Sequence, residues 1–213
     1  MISGDIAVIT SSGRAYYKLV VELKQRKRGF LSLTPADPIP VSVRAVVTTE
    51  RDKDEVDHPQ VFVYDADADP APIVDRVIQS LTGRDRYGKL VFGVDPGKRW
   101  GVAVMGDGAE VKTKVLPSIN DAVKTIVTAV NRIDAAEKIV KVGNGASAYQ
   151  SVFIEQLDEK LPLNVVIESV EEKGTTRHLG MRPSHKRRAK DVYSAIQISM
   201  RTGRKISRRR KNA

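Results

Sequence analysis

The chain contains no cysteine, so disulfide staples and thiolate zinc sites are excluded. Of its three histidines, His178 and His185 read as loop residues rather than metal ligands. No apolar run approaches the roughly 18 to 20 residues that span a bilayer. The opening MISGDIAVITSSGR lacks the basic start, apolar stretch and small-residue cleavage site of a signal peptide. No membrane partner is expected, and a cytoplasmic location is. A phosphate-binding P-loop is missing as well: residues 93–98 have neither its spacing nor its following Ser or Thr.

A hydrophobic content of 41% in 213 residues allows one large domain or two small ones. The net charge of +10 is unevenly placed. Residues 184–213 hold eleven Lys or Arg against one acid, Asp191, so the rest of the chain is close to neutral. The end carries Arg208-Arg209-Arg210-Lys211, and a second cluster, His185-Lys186-Arg187-Arg188 with Lys190, lies beside Asp191. Such clusters attract a phosphate backbone and release its counterions; blocks of like charge are also commonly solvated, disordered tails. The second cluster beside an acid tips the reading towards nucleic acid.

Turn residues divide the chain into a small α/β domain at residues 1–88, a larger domain at 89–203 and a basic tail at 204–213. In the first, strands are expected at 6–9, 30–33, 43–48 and 61–64. Helices are expected at 14–25, opened by Ser11-Ser12-Gly13 and ended by Gly29, and at 73–81. Residues 84–88 form the expected linker, and the first domain shows no evident chemistry. Asp65, Asp67 and Asp69 have the spacing that begins a calcium loop, but Pro70 and Arg76 stand where its glycine and bidentate glutamate belong. Helix capping explains these acids better.

The second segment predicts strands at 89–94, 101–105 and 110–116, helix at 119–133, strand at 138–142, helix at 147–160, strand at 165–170 and a last helix at 189–202. The order βββαβαβα describes a mixed sheet with helices on both faces. Asp95 ends the first strand, Glu168, Glu171 and Glu172 accompany the fifth, and Asp191 starts the last helix. Hydrolysis of a phosphodiester by two divalent cations needs three or four acids converging from separate elements, and this topology can bring these ends to one cleft. Each acid also has a plain structural reading: Asp-Pro-Gly is a common turn, an aspartate before a helix is usually its cap, and a glutamate pair near a loop is usually solvated. Trp100 is expected to pack under the first hairpin.

Phe92-Gly93-Val94-Asp95-Pro96-Gly97-Lys98-Arg99-Trp100-Gly101-Val102-Ala103-Val104 resembles the opening strand pair of the RuvC and YqgF branch of the ribonuclease-H-like superfamily. Val142-Gly143-Asn144-Gly145, Glu171-Glu172-Lys173-Gly174-Thr175-Thr176 and Lys190-Asp191-Val192-Tyr193-Ser194-Ala195 resemble its later landmarks, in the family's order. The resemblance covers residues 90–202. It implies a ribonuclease-H-like fold and an endonuclease that cuts branched DNA with Mg2+ or Mn2+, in the manner of Holliday junction resolvases of DNA recombination and repair. It also implies a homodimer. Asp95, Glu172 and Asp191 would be the catalytic metal ligands, with Glu168 and Glu171 as alternatives to Glu172. Lys98, Arg99, Lys186, Arg187, Arg188, Lys190, Arg208, Arg209 and Arg210 would hold the nucleic acid. The family's Asp-Glu-Arg is Glu171-Glu172-Lys173 here, and Ser194 stands where some resolvases carry a further acid. RNA processing and a non-catalytic nucleic-acid-binding module are therefore the rival readings. The actin and sugar-kinase ATPase fold is disfavoured because residues 89–213 are too few for its two domains.

Overall fold

The run Ile6-Ala7-Val8-Ile9 is buried along its whole length as strand β1 (Ile6–Ile9). Such a continuous β-branched run suits a parallel strand covered on both faces. The computed structural model describes residues 4–83, 86–144, 147–171 and 183–208, with 147–148 and 183–189 described by backbone alone. It divides into two units, Met1–Asp85 and Arg86–Ala213.

In the first unit, Ser12 ends the β1 turn and accepts a hydrogen bond from the Ala15 amide at 3.3 Å, capping helix α1 (Gly13–Gln25). Ala15, Leu19 and Leu23, spaced four apart, form its buried stripe. The helix ends at Gln25, as its expected range has it, and the closing turn falls at Lys27 rather than at Gly29. Lys27 takes the left-handed position at φ 53°, and the Arg28 amide returns to the Leu23 carbonyl at 3.0 Å. A Schellman close normally favours glycine there. Strands β2 (Leu31–Leu33), β3 (Ala45–Thr49) and β4 (Val61–Tyr64) follow, then helix α2 (Pro70–Ser80). All pairings are parallel, in the order β2-β1-β3-β4. Asp69 caps α2 through the Ala71 amide with Pro70 in its first turn, and Asp65 accepts from the Asp67 amide at 2.9 Å. The acids that mimic a calcium loop are thus turn and cap residues. Ile6, Val8, Ala45 and Val47 pack against α1 and α2, while Ala7, Ile9 and Val46 face Leu31, Leu33, Ile39 and Val56.

The second unit begins inside the expected linker. Tyr87, 2% exposed, opens strand β5 (Tyr87–Asp95) and lies against Gly106, leaving no room there for a Cβ. Strands β6 (Trp100–Gly106) and β7 (Ala109–Leu116) complete a meander. Asp107 and Gly108, at φ 47° and 84°, make a turn that needs two left-handed residues. Helix α3 (Ile119–Arg132), strand β8 (Ala135–Gly143), helix α4 (Ser147–Lys160), strand β9 (Val166–Val170), helix α5 (Pro183–Met200) and the short strand β10 (Arg204–Lys205) follow. The sheet order is β10-β9-β8-β5-β6-β7. Strands β5, β8 and β9 are mutually parallel, and the remaining pairs antiparallel.

Alternation along the strands separates two faces. Leu90, Phe92, Val140, Val142 and Ile167 meet Val123, Ile126, Phe153 and Leu157 of α3 and α4. Trp100 belongs to this core, its ring 4.6 Å from that of Phe153. Ala103 and Met105 meet Ala195 of α5 on the other face. The last helix starts at Pro183 rather than near residue 189, since proline is well placed in a first turn. Part of the segment expected as tail is ordered on the sheet: the Ile206 amide donates to the Ile167 carbonyl at 2.9 Å.

Candidate functional site

Asp95 ends β5 and stands opposite Gly101 in the β5–β6 hairpin. A Cβ on Gly101 would lie 2.2 Å from the Asp191 carbonyl oxygen, so the main chain of α5 is seated on this hairpin. Asp95 and Asp191 are therefore brought to the same end of one sheet face. Asp191 does not start the helix, however. Its carboxylate pairs with Arg99 (Nη2 to Oδ2, 2.9 Å), an exposed link between the β5–β6 turn and α5.

Among the described residues no third acid is assembled with them. Glu172 lies outside the described residues, and Glu171 is exposed. Glu168 is buried in β9 beside Lys141 of β8, Oε2 to Nζ 3.9 Å. The Lys141 ammonium also donates to the Arg201 carbonyl past the end of α5 at 2.5 Å. Burial lowers the Lys141 pKa, as does the neighbouring Lys89 charge, while Glu168 and Glu137 oppose the shift. Among the described residues no three acidic, histidine or cysteine side chains converge as a metal centre requires.

The basic residues are also partly committed. Arg208 is no free phosphate ligand: its side chain, 10% exposed, binds Asp158 Oδ1 through Nε at 2.5 Å. Its remaining nitrogens reach the Asp158, Leu161 and Val165 carbonyls at 2.7, 2.8 and 3.2 Å, and that of Pro162. It therefore satisfies carbonyls left over at the end of α4. Lys98 and Lys190 are exposed. The Lys186, Arg187 and Arg188 side chains, and Arg209 and Arg210 altogether, lie outside the described residues.

The most fully built polar cluster is in the first unit, in the domain that showed no chemistry at the level of sequence. Asp52, 2% exposed, follows the C-terminal end of β3. Its Oδ1 accepts from the Ser11 hydroxyl at 2.6 Å. Its Oδ2 accepts from the Thr10 hydroxyl at 2.7 Å, the Ser11 amide at 3.0 Å and the Thr49 hydroxyl at 2.7 Å. Burial by itself opposes ionisation here, but the donors from Ser11, Thr49 and Thr10 outweigh it and hold the carboxyl well below the usual carboxylate range. The chain crosses from β1 to β2 on one side and from β2 back to β3 on the other, so the β1 and β3 ends are the switch point of this parallel sheet. Open α/β sheets bind ligands at that place. The available signal was a hydroxyl-rich Thr10-Ser11-Ser12 turn closing a buried strand; the acid that meets it comes from 41 residues further on.

A second buried charge cluster joins α1 to α2. The Arg26 guanidinium, with no exposed side-chain area, binds Glu22 at 2.7 Å and also Asp75.

The family model for the response regulator receiver-like domain matches residues 5–81. The matched segment spans β1 through α2 and contains the Asp52 cluster and the Arg26 cluster. No curated protein matches the chain. This match points to signalling and overturns the assignment of the chain to a RuvC/YqgF-type resolvase family. The endonuclease activity on branched DNA falls with it, as do its RNA-processing and non-catalytic nucleic-acid-binding rivals and the recombination and repair roles. The physical counterpart is that charges expected to serve a metal or a substrate are paired within the chain: Arg99 with Asp191, Glu168 with Lys141, Arg208 with Asp158. Among the described residues no helix is long and apolar enough to cross a membrane.

Proposed function

We propose that residues 5–81 serve as a signal-transmitting module, controlled at the β1–β3 switch point and coupled to the unit that follows. The similarity of this segment to a response regulator receiver-like domain carries the reading. The state of Asp52 defines its kind. Forming a covalent aspartyl phosphate needs a carboxylate oxygen free to attack. Both oxygens of Asp52 are engaged by four donors, and the residue is withdrawn from solvent. The carboxylate acts instead as an internal anion that ties the β1–α1 turn to the segment after β3. Release of this tie is the conformational event the module transmits.

Hydrogen exchange on the full chain tests the proposal by comparing the parent with Asp52→Ala and the milder Thr49→Val. Transmission predicts altered protection within residues 86–208 as well as around residues 10–12 and 49–57. Changes confined to residues 4–83 in both variants would reject coupling between the units. A phosphoryl adduct on Asp52 after treatment with acetyl phosphate, seen by intact mass and peptide mapping, would reject the phosphoryl-independent mode.

For the second unit we infer a ribonuclease-H-like fold. It is supported by the β5–β6–β7 meander, by parallel β8 and β9 added on the far side of β5, and by α3 and α4 on one face with α5 on the other. A fold of this kind does not bring an activity with it.

A further inference from the structure

Between α4 and the edge formed by β9 and the segment 204–208 lies a cavity of about 550 Å3. This is within the size range of small-molecule sites, ~300–1,000 Å3. Its apolar surface comes from Ile154, Ile167 and Ile206. Gln150, also in its wall, is anchored, donating to the Ser169 hydroxyl at 2.9 Å and the Val142 carbonyl at 3.3 Å. The segment 204–208 that forms the opposite wall is fixed at one end by Arg208 and along its length by pairing to β9. The cavity is thus framed before any ligand arrives.

Four charged side chains line it: Glu155, Asp158, Arg204 and Arg208. Asp158 and Arg208 neutralise each other. The side chains of Glu155 and Arg204 are exposed and have no hydrogen-bond or ion-pair partner among the described residues. One uncommitted anion, one uncommitted cation and an aliphatic surface make a dipolar, amphipathic wall. A simple anion such as phosphate would meet Arg204 but be repelled by Glu155, and a purely apolar ligand would leave both charges unused. We propose that this cavity binds a small zwitterion of the amino-acid type with an aliphatic side chain. Arg204 would receive the carboxylate, Glu155 the ammonium, and the three isoleucines the side chain. Free amino acid and dipeptide share this chemistry and differ in the separation of their charges. The proposal concerns residues 150–169 and 204–208 and does not rest on the signalling role of residues 5–81.

Isothermal titration of the full chain distinguishes these cases. The probes are leucine, the dipeptide Leu-Leu, N-acetyl-leucine, which lacks the ammonium, and leucinamide, which lacks the carboxylate. Saturable binding of leucine or Leu-Leu is expected, and the tighter of the two identifies the ligand. Loss of either charge should weaken binding by about tenfold. Because both residues are on the surface, Arg204→Ala and Glu155→Ala should fold as the parent does. Arg204→Ala should weaken the zwitterion but leave leucinamide unaffected, and Glu155→Ala should do the same with N-acetyl-leucine. Absence of saturable heat with both zwitterions at millimolar concentration would overturn the proposal. So would N-acetyl-leucine or leucinamide binding as tightly as the parent ligands, or variants that change nothing.

Discussion

Gly93 and Ala195 approach so closely that a Cβ on Gly93 would lie 2.0 Å from the Ala195 carbonyl oxygen and 2.8 Å from Ser199. Helix α5 therefore rests directly on the backbone of β5, and the strand side chain at the contact must be absent. Gly93→Ala should push the helix off the sheet and cost about 3 kcal/mol. Urea denaturation followed by far-UV circular dichroism measures this. An unchanged midpoint would mean that α5 is not seated on β5 as described.

Arg208 makes its contacts in a planar fan that a lysine ammonium cannot reproduce. Arg208→Lys should lose about 2 kcal/mol and loosen the end of α4. Amide exchange at residues 157–165 reports it. Equal protection in parent and variant would return Arg208 to the solvent.

Arg26 stands between two carboxylates in the interior of the first unit. Arg26→Met leaves Glu22 and Asp75 buried without their cation and should cost about 3–5 kcal/mol. Replacing all three with apolar residues should recover most of that loss. If the triple variant is no more stable than Arg26→Met, the penalty lies in packing rather than in uncompensated charge.

Asp52 predicts a particular acid limb. Its folded pKa lies below the unfolded value of about 3.9. Between those values the unfolded chain binds more protons, so the carboxylate's contribution is complete above about pH 4 and is lost as pH falls towards the folded value. The parent should therefore be more stable than Asp52→Asn at neutral pH, and the gap should narrow below about pH 4. Parallel pH profiles for the two proteins would remove Asp52 from the account.

Secondary structure was legible in the sequence where its cause was local. Ser12 and Ser118 cap helices through the Ala15 and Asp121 amides. Asp69-Pro70 opens α2, and the Asp107-Gly108 pair closes a hairpin. The errors came where a nonlocal contact decided. Tyr87 sits among turn residues yet is buried as the start of β5. Arg204 and Lys205 belong to a basic run yet pair with Ser169 and Glu168 of β9.

The candidate sites divide in the same way. Asp95 was visible as an acid at a strand end, whereas Asp191, expected to start the last helix, lies within it. That Arg99 neutralises Asp191, and that Glu168 is turned to Lys141, depends on strand register and helix placement. Asp52 carried no signal of its own, because its donors at Thr10 and Ser11 are more than 40 residues away.

By itself the sequence determined the α/β class, the alternation of strands with helices, most caps and turns, and the concentration of positive charge near the end. These follow from periodicity, backbone preference and composition, which act over a few residues. The tertiary structure alone decided which charges were paired within the protein and which were left without a partner. A buried or half-buried charge must find its partner at once, or pay a large desolvation cost, and that partner is chosen by how distant segments meet. Arg208 and Arg204 are four residues apart in one basic run; one is consumed by the end of α4 and the other faces an open cavity.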